Sequence, residues 1–264
     1  MHSLTVPAIP VVYTLAEREL VRFFRQRNRV IGAFLQPVIF WLLFSEGLRQ
    51  SSLGYGHFFP GTLAMILLFT AIFATISIIE DRKEGFLQGV LVAPIPRWTM
   101  VLGKVLGGAA IAMIQAIAFL LLGWLASPEV SPSVPQALGA VCLMVVMAIA
   151  LTSLGFFIAW RMDSTQGFHA IMSVFLLPMW LLSGAFFPQG AAGVLGYVVA
   201  INPMTYGVAG LRHYLGYATV ANPNPTAGLP SHSLCWLVSL LFAVVMLAAC
   251  WKIAGTRSKG DFIT

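Results

Sequence analysis

An all-α polytopic membrane fold with six transmembrane helices is what this sequence predicts, and three observations carry the prediction. Hydrophobic residues make up 59% of the chain and charged residues only 9%, against about 25% charged in soluble domains. Six apolar runs reach or approach the roughly 20 residues that a helix needs to cross the hydrocarbon core. Thirteen of the 15 basic residues fall on one side of a six-span arrangement, and an odd number of spans would split that grouping. A soluble domain is excluded. The net charge of +6 reports topology rather than nucleic-acid affinity, because the basic residues flank the apolar runs.

The elements follow in order. Over residues 12–29, Leu15, Leu20, Phe23 and Phe24 alternate with Glu17, Arg18, Glu19, Arg22 and Arg25. This pattern predicts an amphipathic interfacial helix lying on the membrane surface. The spans are expected at 30–48, 58–79, 98–126, 136–160, 168–187 and 234–254. The third and fourth are long enough to tilt or to project. No small-residue cleavage site accompanies the first apolar run, so the N-terminus is expected to be retained.

Arg18, Arg22, Arg25, Arg27 and Arg29 precede the first span. Arg82, Lys83, Arg97 and Lys104 lie in or beside the second loop, Arg161 in the fourth, and Lys252, Arg257 and Lys259 at the C-terminal end. Only Arg49 and Arg212 fall on the other side. The positive-inside rule makes the basic side cytoplasmic, with both termini there. Residues 1–264 read as one transmembrane domain without an internal repeat. Cys142, Cys235 and Cys250 lie in apolar segments and read as packing residues; no metal-ligand spacing is present.

Residues 188–233 form the one long outer loop. The apolar run at 194–201 is too short to span. The turn Asn202-Pro203 and a helix-like stretch at 205–217 follow it. A re-entrant or interfacial helical hairpin is expected here, since irregular backbone at membrane depth must be sheltered by protein.

The most informative stretch is the charged island at 80–106, and its loop at 80–97 is expected to face the cytoplasm. Asp81 is expected to cap a short helix, with Glu84 three residues on completing an acidic capping box. Phe86, Leu87, Val90 and Leu91 form one apolar stripe. Pro94 and Pro96 end the helix, and Arg97 with Trp98 mark the return to the interface. Glu80, Asp81 and Glu84 nearly balance Arg82 and Lys83, so the loop suits a protein partner better than a lipid surface. The stripe is expected to be a knob that fits a groove on that partner.

These residues resemble the cytoplasmic loop of type-2 ABC-transporter permeases, the transmembrane subunits of exporters of drugs, lipids and polysaccharides or lipo-oligosaccharides. The matching segments are Asp81-Arg82-Lys83-Glu84-Gly85, then Ala93-Pro94-Ile95 with Arg97, and Gly103-Lys104 entering the third span. A second set, Ser183-Gly184-Ala185-Phe186-Phe187-Pro188, Asn202-Pro203-Met204-Thr205-Tyr206 and Gly210-Leu211-Arg212, resembles the family's fifth-span and outer-loop signature. Asp81 and Lys83 alter the family's usual acidic pattern, and the segment between Pro188 and Asn202 lacks a second proline.

The resemblance implies a permease domain over 1–264, set in the cell inner (cytoplasmic) membrane. A second permease chain, identical or related, is implied, together with two cytoplasmic ATPase subunits. Those would dock on a coupling helix through Asp81, Arg82, Glu84, Gly85, Phe86, Leu87, Val90, Leu91, Pro94 and Arg97. An outer gate would use Gly184, Pro188, Asn202, Pro203, Tyr206 and Arg212. No cofactor is expected on this chain. It shows no Gly-rich Lys-Ser/Thr phosphate loop, so ATP and Mg would belong to the partner ATPase, and the chain itself is expected not to be an enzyme. The Phe- and Leu-rich spans suit an amphipathic or lipid-linked substrate or a glycan; no residues are assigned to bind it.

Three alternatives stay open at the level of sequence, one of them a structural or assembly subunit without a pathway. An integral-membrane enzyme would need ionisable groups at depth, and only Glu46 and His169 lie near span ends, with the neutral Gln36 and Gln115 inside. An ion-coupled secondary transporter would need broken helices and buried acids. Pro37, Pro178 and Gly184 could bend spans, but buried acids for proton or sodium coupling are missing.

Overall fold

The computed structural model describes residues 7–47, 55–126, 132–185, 193–215 and 228–255. These residues form eleven α-helices and no strand. In order they are α1 (Ala8–Arg25), α2 (Arg27–Gly47), α3 (Tyr55–Ala74), α4 (Ile76–Lys83), α5 (Phe86–Val92), α6 (Arg97–Ala126), α7 (Val134–Ala159), α8 (Thr165–Trp180), α9 (Val194–Ile201), α10 (Pro203–Leu215) and α11 (His232–Gly255).

Among the described residues, five segments are long and apolar enough to cross a membrane: Phe58–Lys83, Arg97–Leu125, Val134–Ala159, Thr165–Ala185 and His232–Gly255. The expected first span corresponds to α2, whose apolar stretch, Val30–Leu43, is shorter. Where the hairpin is expected, α9 and α10 form a pair bent by 76°.

The second span, α3 with α4, is the hub. It packs against α2, α6, α7, α8 and α10, and Leu63, Ile66, Leu67, Leu68 and Ile72 are fully enclosed. Thr75 interrupts it, its hydroxyl donating to the Ile72 carbonyl at 2.6 Å. The helix then resumes to Lys83, four residues beyond the expected end at 79, because Ile76, Ile78, Ile79 and Asp81 all find buried partners. The first charges of the island are therefore rigidly continuous with the span.

At the far end of the bundle Trp41, Phe59 and Phe119 clamp α2, α3 and α6. The Phe59 and Phe119 rings stack at 5.0 Å, and Trp41 meets Phe119 edge-on at 5.4 Å. Such pairs add roughly 0.5–1.5 kcal/mol beyond their buried area. Phe168, Met172, Leu176 and Trp180 bury one face of α8. Its other face, Ile171, Val174, Phe175 and Leu177, is exposed, as is much of α11; apolar exposure of this kind suits lipid or a neighbouring helix.

The N-terminal helix corrects an expectation. It starts earlier and ends earlier than 12–29, at Ala8–Arg25, and Gln26 separates it from α2. It does not merely lie on a surface. Leu15, Glu19 and Phe23 are buried, and α1 packs along α6. Two glycines of α6 make the approach possible. A Cβ on Gly103 would stand 2.6 Å from the Leu15 Cβ, and one on Gly107 would stand 2.8 Å from the Glu19 Cβ. A purely interfacial helix needs no such notch.

Candidate functional site

The island begins as the last turn of α4 and passes through Gly85, which has φ 78°. A residue with a Cβ pays about 1–2 kcal/mol in that left-handed conformation. Gly85→Ala is therefore expected to lower stability by about 1 kcal/mol, read as a small fall in thermal midpoint, although open space surrounds the position. Beyond this hinge α5 runs only from Phe86 to Val92. The expected capping box is absent: Asp81 lies inside α4, and Gly85 precedes α5.

The apolar stripe also turns out to face inward. Leu87 is buried, and Phe86, Val90 and Leu91 pack against the core. The Arg18 guanidinium covers the Phe86 ring at 3.6 Å. A seven-residue helix gains more by laying its stripe on the bundle than by exposing it. The face turned outward consists of Lys83, Glu84, Gly85, Gly89, Val92, Pro94 and Pro96, with Val92 83% exposed.

Behind α5 sits a buried ion cluster built by three helices. Asp81 has no exposed surface, and its carboxylate accepts from three cations. Arg18 grips it in a fork, Nη2 to Oδ1 at 2.7 Å and Nη1 to Oδ2 at 3.0 Å. Arg22 Nη1 donates to Oδ1 at 2.7 Å, and the Lys104 ammonium donates to Oδ2. Lys104 also donates to Glu19 at 2.6 Å. Arg22 Nη2 reaches Glu80 at 3.0 Å and Glu84 at 3.2 Å. Forked, charge-assisted bonds of this kind fix orientation as well as supplying energy. Burial pulls the Arg18 pKa down, but the hydrogen bond and charge of Asp81 outweigh it, and the net shift is upward.

Two further ties run from the island to the ends of distant spans. Arg82 Nη2 donates to the Trp160 carbonyl at 2.6 Å, and its Nη1 to the Met162 carbonyl and to Asp163, both at 3.0 Å. Arg97 donates to the Ala254 carbonyl at 2.8 Å. These guanidiniums satisfy carbonyls at or just past the C-terminal ends of α7 and α11, where the helix dipole favours a cation. The helix ends on either side of α5, the last turn of α4 and the start of α6, are thereby bonded to each other, to α1 and α11 and to the end of α7.

The residues expected at the opposite end come together in part. Gly184 has φ 80° within the wide turn Leu181–Ala185 that ends the fifth span. Asn202 joins three pieces: its Nδ2 donates to the Met179 carbonyl at 2.6 Å, and its Oδ1 accepts from the Met204 amide at 3.0 Å. Pro203 opens α10, and the Tyr206 hydroxyl donates to the Ala200 carbonyl at 2.9 Å, holding α10 to α9. Arg212 is buried within α10, facing the bundle rather than its rim. Pro188 lies outside the described residues.

Sequence reasoning missed Arg18, Glu19, Arg22 and Lys104 as parts of the site, and it found no acid buried among the spans. Lys104 carried the usable signal. It lies two turns into an apolar helix with no acid on that helix, and such a cation requires a carboxylate from elsewhere.

Comparison with known proteins agrees with this architecture. Residues 10–215 match the ABC-2 type transporter family. The chain is 22% identical over 221 residues to "Putative transport permease ycf38" of Cyanophora paradoxa, covering 80% of this chain and 76% of that one. It is 29% identical over 154 residues to "Probable multidrug ABC transporter permease YbhR" of Escherichia coli (strain K12), covering 56% of this chain and 40% of the relative. With a family match over residues 10–215 and a helical membrane fold, the chain belongs to the ABC-2 type transporter permeases.

Proposed function

We propose that this permease is the transmembrane subunit of an ATP-driven exporter. In this reading the island end faces the cytoplasm, two separate ATPase subunits dock there, and a second permease chain completes the pathway. An amphipathic or lipid-linked substrate or a glycan moves outward across the inner membrane. One observation supports it above all: the two helix ends that bracket α5, the last turn of α4 and the start of α6, are tied through Asp81, Arg82 and Arg97 to each other, to α1 and α11 and to the end of α7. A partner that pushes on α5 moves those helices with it, because hydrogen-bonded ion clusters and packed cores shift between discrete arrangements rather than deforming gradually. Gly85 supplies the one break between α5 and the span behind it.

The docking surface in this reading is the outward face around Glu84, Val92 and Pro94, with Phe86, Leu87 and Leu91 supporting it from beneath. Val92→Asp is expected to abolish co-purification of the co-expressed ATPase while membrane yield stays normal. Phe86→Asp with Leu91→Asp is expected to reduce the yield of folded permease itself. Full ATPase recovery with Val92→Asp would defeat docking through this face.

A further inference from the structure

Two cations are buried among the described residues, Lys104 and Arg212. Lys104 is held by two carboxylates. Arg212 is only 8% exposed, yet among the described residues it makes no hydrogen bond and no ion pair. The elements packed on α10 offer it no counter-charge: α3, α7, α9, α11 and the wide turn Leu181–Ala185 contain neither Asp nor Glu. Of the acids at this end of the bundle, Glu46 is exposed on α2 and Glu129 lies outside the described residues. The titratable neighbours His213 and His232 carry no negative charge. A buried guanidinium is strongly unfavourable until an anion pairs with it. The group is not sealed in. The fully enclosed polar atoms without a partner, among the described residues, are Glu80 Oε2, Gln88 Oε1, Gln115 Nε2 and Ser239 Oγ, and no Arg212 nitrogen is one of them.

The depth of Arg212 says which anion is at hand. Helix α10 runs antiparallel to α7, with Gly207 against Met147, Gly210 against Leu143 and Tyr214 against Gly139. Arg212 therefore sits between the levels of Leu143 and Gly139, about two turns in from the start of α7. Helix α7 has 26 residues, more than the ~20 that cross the hydrocarbon core, so this level is near the hydrocarbon boundary. The Tyr214 hydroxyl accepts from Trp236 Nε1 at 3.0 Å and lies 2.9 Å from His232 Nε2, and Trp and Tyr gather at that boundary. Lipid phosphates stand there around the whole bundle, and the planar fork of a guanidinium matches phosphate oxygens. A second copy of the chain would have only Glu46 and Glu129 to bring to this end.

We propose that Arg212 anchors a binding site for the phosphate of an anionic phospholipid, at the end of the bundle opposite the ion cluster. The site stands apart from the transport reading, and its test uses no ATPase. The full chain, purified in dodecyl maltoside, is melted with and without dioleoylphosphatidylglycerol. The lipid is expected to raise the wild-type midpoint by about 3 °C more than that of Arg212→Met, whose remaining rise reports the basic residues at the opposite end. Dioleoylglycerol, with the same tails and no phosphate, is expected to act equally on both chains, and so is inorganic phosphate.

Equal rises with phosphatidylglycerol in the two chains overturn the proposal. An Arg212-dependent rise with inorganic phosphate assigns the site to the free ion, and one with dioleoylglycerol assigns it to the tails; either overturns it. A wild-type dimer that Arg212→Met dissociates, with the same lipid response in both chains, gives the charge to a second copy and overturns it too. Should Arg212→Met fail to fold, Arg212→Lys decides, because it keeps the charge and loses the fork. A smaller lipid-induced rise than in wild type then supports the phosphate site, and an equal one overturns it.

Discussion

Asp81→Ala is expected to destabilise the permease by about 3–5 kcal/mol, the cost of removing one partner from a buried ion cluster. The reason lies in which cation is stranded. Arg18 and Arg22 keep 29% and 20% of their side chains exposed and can turn to water, whereas Lys104 keeps only 4%. Glu19 remains beside Lys104, but a single carboxylate then serves a buried ammonium that had two. For the purified protein the thermal midpoint should fall by roughly 10 °C. Adding Lys104→Met, which removes the stranded charge at similar volume, is expected to restore part of the loss, a coupling that a double-mutant cycle measures directly. A midpoint within a degree or two of wild type for Asp81→Ala would mean that the cluster is not a structural lock.

Gly107→Leu is expected to detach α1 from the bundle. The new side chain would start 2.8 Å from the Glu19 Cβ and 3.1 Å from the Ala16 carbonyl oxygen, so it meets backbone and cannot be relieved by a rotamer change. Displacing α1 also withdraws Arg18, Glu19 and Arg22 from the cluster, so the packing and ionic losses add. The measurement uses Leu15→Cys in a chain whose three native cysteines are replaced. Leu15 is buried against Gly103, so maleimide labelling should be slow in this background and fast once Gly107→Leu is added. Gly32→Leu, at a position with no atoms within 4 Å of a Cβ, serves as the control and should leave labelling slow. Slow labelling in the Gly107→Leu chain would show that α1 does not depend on this notch.

Much of the fold was legible in the sequence because lipid imposes length and apolarity on every span. The second to sixth spans were found within a few residues, and the break between two short helices was read from a short apolar run ended by Asn202-Pro203. The charged island was legible as a site because charges between two apolar runs have nowhere to go but an interface. Its internal arrangement was not. Periodicity established that Phe86, Leu87, Val90 and Leu91 share a face, but it is silent on whether that face meets a partner or the chain's own core. Asp81 read as a cap for the same reason: local spacing to Glu84 was visible, while Arg18, Arg22 and Lys104 were remote.

The sequence alone thus determined the class, the second to sixth spans and the position of the island, since each follows from local composition and helical period. Only the tertiary structure decided which charges meet. Asp81 is joined to Arg18 across 63 positions and to Lys104 across 23, and Arg97 to Ala254 across 157. Long-range pairings of this kind depend on how glycine notches and helix ends bring separate segments together. No single segment's pattern encodes that, which is why α5 emerged laid against the core between two strapped helix ends rather than as a free knob.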